Sequence, residues 1–135
     1  MAYIEFDAGS FEDKIVGPFT HYQVEPVFFG GPRPFRGALS KENYATLEKA
    51  RVAAIKLIQR NKDAGMVKGF IKECHRGYPY GYDVEKVFAY QIRDPKTYKI
   101  IKTTYYMEIE GKRTYVYRLN SKTGEIVEKV RKKDL

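Results

Sequence analysis

The side chains whose types and spacing suggest a function in this sequence are basic and aromatic, and they suit the binding of anions and of nucleic-acid bases. The segment from residue 28 to residue 37 sets Arg33 and Arg36 among phenylalanines on a frame of glycine and proline. A guanidinium can bind phosphate through two parallel hydrogen bonds, an aromatic ring can stack on a base, and glycine lets backbone amides approach an anion closely. The segment therefore indicates an anion-binding loop. The alternative is that its phenylalanines are buried in the core, as apolar side chains are by default.

A second basic feature is a row of cations on the longest helical pattern. The apolar stripe of this pattern contains Leu47 and Ile58, and the cations fall on the opposite side with few acids spaced to neutralise them. Such a ridge could follow a phosphate backbone or an acidic groove of a protein. The alternative is an ordinary solvated face, which any surface helix shows. The row consists of Lys41, Lys49, Lys56 and Arg60.

The last third of the chain alternates tyrosines with lysines and arginines. A sheet face with this pattern is a platform for single-stranded nucleic acid, where stacking contributes about 1–3 kcal/mol per base. Tyrosine and arginine are equally suited to the centres of protein interfaces. The binding candidates in this region are Lys112, Arg113, Arg131 and Lys132.

A tyrosine-rich loop, residues 77–82, lies between the helical and the sheet-forming parts of the chain. If it is exposed, it forms a rigid aromatic contact surface of the kind that binding loops use. If it is buried, it covers the end of the sheet. The candidates for contact with a protein partner are Phe35, Arg76, Tyr78, Tyr80 and Tyr82.

Signatures of catalysis or metal binding are missing from the sequence. It has no phosphate-cradling glycine loop, no serine-esterase elbow and no closely spaced His and Glu ligands. Cys74 adjoins His75, but neighbours in a helix or strand point in different directions, which argues against a dyad. The sequence therefore predicts no catalytic residue, no metal and no cofactor, and it favours a chain that is not an enzyme. An enzyme would need His21, His75 or a carboxylate pair to converge in one cleft.

Composition predicts one folded domain over residues 1–135. Hydrophobic residues make up 43% and charged residues 31% of the chain, which is a globular balance. The net charge of +8 favours an anionic partner, either nucleic acid or an acidic protein, although solubility alone could account for it.

The amino-terminal residues do not resemble a signal peptide, because Glu5 and Asp7 stand where a signal peptide is basic. No apolar run approaches the ~18 residues of a membrane span. We therefore expect a protein of the cytoplasm, or of a virion assembled there, without a membrane partner.

Hydrophobic periodicity predicts the helices. Residues 41–64 repeat apolar side chains at helical spacing after Ser40 and before Gly65, which predicts one long helix. Residues 66–74 predict a second short helix, and a strand is the alternative because Gly69 lies in the middle.

The remaining regions are predicted to be extended. Residues 1–39 are broken by glycine and proline into short strands and loop, and this arm is a candidate for contact with a partner. From residue 84 the apolar period changes to two, and three turns predict a four-strand antiparallel meander over residues 84–131.

Neither the helix nor the meander can bury its apolar side alone, so the helix is expected to lie across the sheet in an α+β fold. This element order, over residues 40–131, is similar to that of cystatin-like and related helix-grip folds. The resemblance is one of element order and implies an architecture without implying a site.

Together these patterns predict a non-enzymatic binding domain whose basic, tyrosine-rich surface engages a polyanion, with nucleic acid as the first choice. The alternative is a small protein-interaction or assembly protein, for example a viral or phage structural or host-interfering component. Such a protein would act through its aromatic loops and its amino-terminal arm, which suits strand addition to a partner's sheet. The sequence leaves open which partner is bound and whether the chain forms a homo-oligomer.

Overall fold

The computed structural model describes residues 20–29, 35–37, 42–75 and 81–135. In these residues one α-helix lies against one antiparallel sheet, and the predicted α+β class is confirmed. The helix α1 spans Leu47–Arg60, and the strands are β1 His21–Phe28, β2 Phe35–Arg36, β3 Met66–Cys74, β4 Tyr82–Arg93, β5 Ile100–Ile109, β6 Tyr115–Leu119 and β7 Ile126–Arg131. Across the sheet the strands follow the order β2-β1-β3-β4-β5-β6-β7. No helix in these ranges is long and apolar enough to cross a bilayer.

The helix α1 is shorter than predicted at both ends. Thr46 caps its start, where the Thr46 hydroxyl accepts a hydrogen bond from a first-turn amide at 3.2 Å. The residues before it are extended because Tyr44 exchanges two backbone hydrogen bonds of 2.8 Å with Tyr22 of β1. At the other end a 3-10 turn, Lys62–Ala64, closes on Gly65, which has a left-handed backbone with φ 87°. Strand pairing before the helix and a tighter turn after it therefore limit α1 to the middle of the predicted range.

The predicted second helix is wrong, and its residues form the strand β3, the alternative left open for them. β3 lies between β1 and β4, so both of its edges are paired. Ile71 belongs to the core beneath α1, whereas Phe70 and Cys74, at alternate positions, point to the other face of the sheet. A strand with apolar residues on both faces lacks the alternation that identifies strands from sequence. The spacing of its apolar residues imitates a helix for this reason.

The sheet is larger than the predicted four-strand meander, which corrects that prediction. β4 to β7 follow one another across the sheet, but β4 also pairs with β3, and β3 pairs with β1. β1 comes from the region that glycine and proline break up. Pro26 fits there because its carbonyl, on the outer side of β1, accepts a hydrogen bond from the Gly37 amide at 2.8 Å. The amide that proline lacks is on that same side and is not needed for pairing with β3.

The core lies between α1 and the face of the sheet that it covers. Ala50 and Ala54 are fully buried and let the helix approach the sheet closely, while Ile55 and Ile58 fill the remaining space. Because this packing fixes the rotation of the helix, it also fixes which residues α1 presents to solvent. The sheet contributes Val24, Met66, Ile71, Val87, Met107 and Leu119.

A buried ion pair joins the helix to the sheet. Arg51 of α1 donates to both oxygens of the Glu85 carboxylate in β4, from Nε at 2.8 Å and from Nη2 at 2.7 Å. The third guanidinium nitrogen donates to the Gly124 carbonyl at 3.0 Å, in the turn between β6 and β7. Burial alone would lower the pKa of Arg51, but the bonds to Glu85 outweigh it and raise that pKa above its ordinary value. One charged side chain therefore holds α1, β4 and the β6–β7 turn together.

Candidate functional site

A groove of about 690 Å³ runs along the solvent side of α1. Lys49, Lys56 and Arg60 lie along it, at helical positions separated by seven and four residues, which place them on one side of the helix. Lys122 joins them from the β6–β7 turn. We call these four residues the groove cations. Three of them were predicted from sequence, and Lys41, the fourth member of the predicted row, lies outside the described residues.

The floor of the groove is apolar. Val52, Ala53 and Leu57 of α1 line it between the cations, and Tyr44 lines it from the segment before the helix. Ala53, Leu57 and Tyr44 also pack against the core. The groove is therefore a fixed feature of the folded chain and not a gap between mobile side chains.

The charge of the groove is only slightly neutralised. Glu42 is the single carboxylate among the described residues that line it, and its Oε1 accepts a hydrogen bond from the Tyr44 hydroxyl at 2.6 Å. None of the groove cations forms an ion pair within the described ranges. Four cations against one acid leave a net charge of about +3. As far as the described residues show, the groove cations are therefore free to donate hydrogen bonds to an external anion.

Lys122 is positioned by its turn. The Asn120 side chain accepts hydrogen bonds from the amides of Lys122 and Thr123, at 2.9 and 3.2 Å. Gly124 then packs on the backbone of Glu48 at the start of α1 and accepts the hydrogen bond from Arg51. The sequence shows the turn but not its contact with the helix, because that contact joins residues more than 70 positions apart. Sequence reasoning missed Lys122 for this reason.

The groove can hold a row of negative charges. At 1.5 Å per residue, Lys49 and Arg60 are about 16 Å apart along the helix axis. A strand of duplex DNA presents one phosphate about every 3.4 Å of its own axis, so several phosphates fall within this length. Lysine and arginine bind such oxygens by charge-assisted hydrogen bonds.

A second basic cluster lies at the end of the sheet. Arg113, Arg131, Lys132 and Lys133 line a shallow cavity of about 600 Å³ with Tyr115. Three of the four predicted cations of this region, Arg113, Arg131 and Lys132, are therefore brought together. The fourth, Lys112, lies in the turn between β5 and β6, where its amide donates to the Ile109 carbonyl at 3.0 Å.

The charge of Lys132 is already matched by a carboxylate. Glu108 is 8% exposed, on the face of the sheet away from α1, and accepts hydrogen bonds from Lys132 at 2.8 Å and from Lys86 at 2.9 Å. Burial alone would raise the pKa of Glu108, but these two bonds outweigh it and lower that pKa below its ordinary value. Burial, and then the charge of Lys86, lowers the pKa of Lys68 on the same face. Arg113, Arg131 and Lys133 form no ion pair within the described ranges, so this cluster keeps three unpaired cations against four in the groove.

We expect Glu108→Gln to destabilise the fold by about 1–3 kcal/mol near neutral pH, because both lysines lose their charged acceptor. A carboxyl whose pKa is lowered by folding stabilises the fold fully above its ordinary pKa of about 4.3, and less as the pH falls through the folded value. The difference between wild type and variant should therefore shrink below about pH 4. Urea unfolding at a series of pH values measures this difference in stability.

Glu128→Gln, in an exposed pair with Arg118, is the control and should cost under about 1 kcal/mol. A difference for Glu108→Gln that stays constant from pH 7 to pH 3 would contradict this account.

Arg36 is also engaged within the chain. Its guanidinium forms an ion pair with Glu25, donates to both oxygens of Asp83 at 2.9 and 3.1 Å, and stacks 3.9 Å from the centre of the Phe70 ring. Burial alone would raise the pKa of Asp83, but hydrogen bonds from Arg36 and Lys72 lower it. Arg36 has less freedom to bind an external anion than the groove cations have. Arg33 lies outside the described residues.

The predicted partner-contact residues are only partly described. Arg76, Tyr78 and Tyr80 lie outside the described residues, and Phe35 is described only by its backbone in β2, paired with Phe28. Tyr82, at the start of β4, donates its hydroxyl to Glu73 at 2.9 Å and stacks on His75 at 5.7 Å between ring centres. Among the described residues, no group of three or more His, Cys, Asp and Glu side chains could hold a metal ion.

Comparison with protein-family models, with curated proteins and with solved structures finds no match for this chain. No activity or partner therefore comes to it by similarity. The geometry of the α1 groove is the strongest basis on which to assign a function.

Proposed function

We propose that this chain binds nucleic acid, and that the α1 groove holds the sugar–phosphate backbone. The observation that carries the proposal is the convergence of four cations from two distant parts of the chain on one groove with a single carboxylate. Solvated lysines scattered for solubility need not converge. Surface charges that stabilise a fold are commonly paired, and the groove cations form no ion pair with any residue in the described part of the chain.

The chemistry of the groove favours backbone contacts over base reading. Lysine binds phosphate as a point charge and does not select a base. The apolar floor can contact sugars between the phosphates. Binding at the groove alone should therefore depend strongly on salt and weakly on nucleotide sequence.

An acidic protein is the competing ligand for the same groove. The aromatic loop and the amino-terminal arm that suggested a protein-interaction function fall largely on residues outside the described ranges, so that function stays a prediction. A linear row of cations along one side of a helix suits the linear array of charges on a phosphate backbone better than the irregular charges of a folded protein surface. Polyglutamate of matched charge number is the reference ligand that separates the two.

Neutralising the row should weaken binding. We expect Lys49→Gln/Lys56→Gln/Arg60→Gln to bind a 20-nucleotide DNA or RNA about tenfold to a hundredfold more weakly at constant salt, since three charge-assisted contacts are lost. Glutamine has nearly the helix propensity of lysine and arginine, so the fold should be retained. Fluorescence anisotropy of the labelled oligonucleotide measures the affinity, and circular dichroism checks the fold.

The control removes the same charge elsewhere. Lys112→Gln/Lys129→Gln/Lys133→Gln lowers the net charge equally but leaves the groove intact, and it should change affinity by less than about threefold. If the control loses as much affinity as the groove variant, binding follows net charge or the cluster at the sheet end. If polyglutamate binds as tightly as DNA, the proposal of a nucleic-acid ligand is wrong.

A further inference from the structure

The strands β4 and β5 continue well beyond the rest of the sheet. β4 pairs with β3 as far as Phe88, and β5 pairs with β6 from Tyr106 onward. Residues 89–105 between these points pair only with each other in the described part of the chain. At about 3.3 Å per residue, the strand from residue 89 to residue 93 is about 17 Å long, and the base of the ribbon, Ala89 and Tyr105, packs against the core. We call residues 89–105 the ribbon.

The surface of the ribbon is apolar and basic at once. Tyr98 is 73% exposed and Ile101 is 64% exposed, and Ile92 and Ile100 are each more than two-fifths exposed. Exposed apolar side chains of this number on one hairpin mark a contact surface, since the folded chain gains nothing by leaving them in water. The ribbon also carries four cations and one carboxylate, which are Arg93, Lys96, Lys99, Lys102 and Asp94.

The turn at the tip is held in one conformation. The Asp94 carboxylate accepts hydrogen bonds from the amides of Lys96 and Thr97, at 2.7 and 3.2 Å. The Tyr98 amide donates to the Asp94 carbonyl at 2.8 Å, and the Arg93 guanidinium donates to the Tyr98 carbonyl at 2.8 Å. Tyr98 itself has a left-handed backbone with φ 60°. The ribbon is thus preformed, so a partner would not have to meet the cost of ordering it.

The ribbon and the groove lie toward the same end of the sheet. Tyr106 pairs with Arg118 and Met107 with Tyr117 in antiparallel register. β6 therefore runs toward the base of the ribbon, and the β6–β7 turn that carries Lys122 follows from that end. The Lys122 end of the groove therefore lies toward the ribbon's end of the sheet.

We propose that the ribbon enters the major groove of a nucleic-acid duplex whose backbone lies on the α1 groove. This inference rests on the proposed function and adds to it a preference for double strands. The major groove of B-DNA is about 12 Å wide and admits a two-stranded ribbon, whose strands are about 4.8 Å apart. The cations of the ribbon then face phosphates on the groove walls, and its isoleucines contact base edges, including thymine methyl groups.

The charge of the ribbon selects this ligand over a second copy of the chain. Four cations against one carboxylate leave the ribbon at about +3, and two such ribbons brought edge to edge would repel each other. None of the four cations is paired with a carboxylate among the described residues. An anionic duplex meets both the charge and the shape of the ribbon.

The test removes apolar surface from the ribbon without changing its charge. Ile92→Thr/Tyr98→Asn/Ile101→Thr keeps strand-compatible residues in β4 and β5 and uses asparagine where the backbone is left-handed. Anisotropy of a labelled 20-base-pair DNA and of one of its single strands compares this variant with the wild-type chain. We expect duplex affinity to fall about tenfold to a hundredfold and single-strand affinity to change by less than about threefold.

A second variant guards against misfolding of the first. Gln91 is paired with Thr103, and an Asn-Gly turn in place of residues 92–102 can close the shortened hairpin there. Because this deletion also removes the four cations and the one carboxylate of the ribbon, duplex affinity should fall at least as far as in the first variant, and single-strand affinity should fall much less. If wild type binds nucleic acid but both ribbon variants bind duplex as tightly as wild type, the ribbon inference is overturned and the groove proposal stands. If wild type binds neither form, both are overturned. If sedimentation shows a wild-type dimer that the ribbon variants do not form, the ribbon is a self-association surface instead.

Discussion

Arg51→Met is expected to lower the free energy of unfolding by about 3–5 kcal/mol at neutral pH. Arg51 and Glu85 have side chains that are each 7% exposed, and Arg51 binds both oxygens of the carboxylate. Removing the guanidinium leaves a buried negative charge without a partner, and it also leaves the Gly124 carbonyl without its donor. The cost comes mainly from that unpaired charge and less from the attraction that the pair itself provides.

A double variant separates these two contributions. Arg51→Met/Glu85→Leu removes both charges and keeps similar volumes, so it should recover most of the stability that the single change loses. Urea unfolding measures the free energy of unfolding of wild type and both variants. Circular dichroism is the signal because the chain contains no tryptophan for fluorescence. A single variant within about 1 kcal/mol of wild type would show that water reaches Glu85 in the folded state.

Gly124→Ala is expected to destabilise the fold by about 3 kcal/mol or more, through two effects that add. Gly124 has φ 75°, a left-handed backbone that costs an L side chain about 1–2 kcal/mol. A Cβ at this position would also lie 2.8 Å from the carbonyl carbon of Glu48, closer than real Cβ atoms come. Since Glu48 belongs to the first turn of α1, the β6–β7 turn must move away from the helix. That movement would also displace Lys122 from the groove.

Gly111 supplies the matched control for this change. It has φ 79° in the β5–β6 turn, and a Cβ there would meet nothing within 4 Å. Gly111→Ala should therefore cost only the conformational part, about 1–2 kcal/mol. Thermal unfolding of the two variants gives the difference directly. Equal losses for Gly111→Ala and Gly124→Ala would mean that the contact between the β6–β7 turn and α1 is not close in the folded protein.

Local signals made the helix and the later strands predictable. The apolar stripe of α1 and the alternating tyrosines, valines and isoleucines after residue 84 reflect contacts between near neighbours. β3 was misread because Ile71 is buried on one face and Cys74 on the other. The start of α1 was misplaced because Tyr44 pairs with Tyr22, a contact between distant residues that no local pattern shows.

The residues of the groove also differ in how far they could be predicted, depending on whether local or distant contacts place them. Lys49, Lys56 and Arg60 were found because helical spacing alone puts them on one side. Lys122 was not found, since it reaches the groove only through the packing of Gly124 on α1. The ribbon was predicted as part of the four-strand meander, because a sequence indicates where strands are but not that β4 and β5 extend beyond their neighbours.

The salt dependence of DNA binding tests the central claim most directly. In a titration of labelled DNA across a salt series, the logarithm of the wild-type association constant should fall linearly with the logarithm of salt concentration. For duplex, each phosphate contact contributes a slope of about −0.9, so the four groove cations predict a slope of about −3.6 or steeper. Lys49→Gln/Lys56→Gln/Arg60→Gln should make that slope shallower by about 2.7. Equal slopes for wild type and variant, or wild-type binding that appears only at very low salt, would contradict the claim that the α1 groove holds a phosphate backbone.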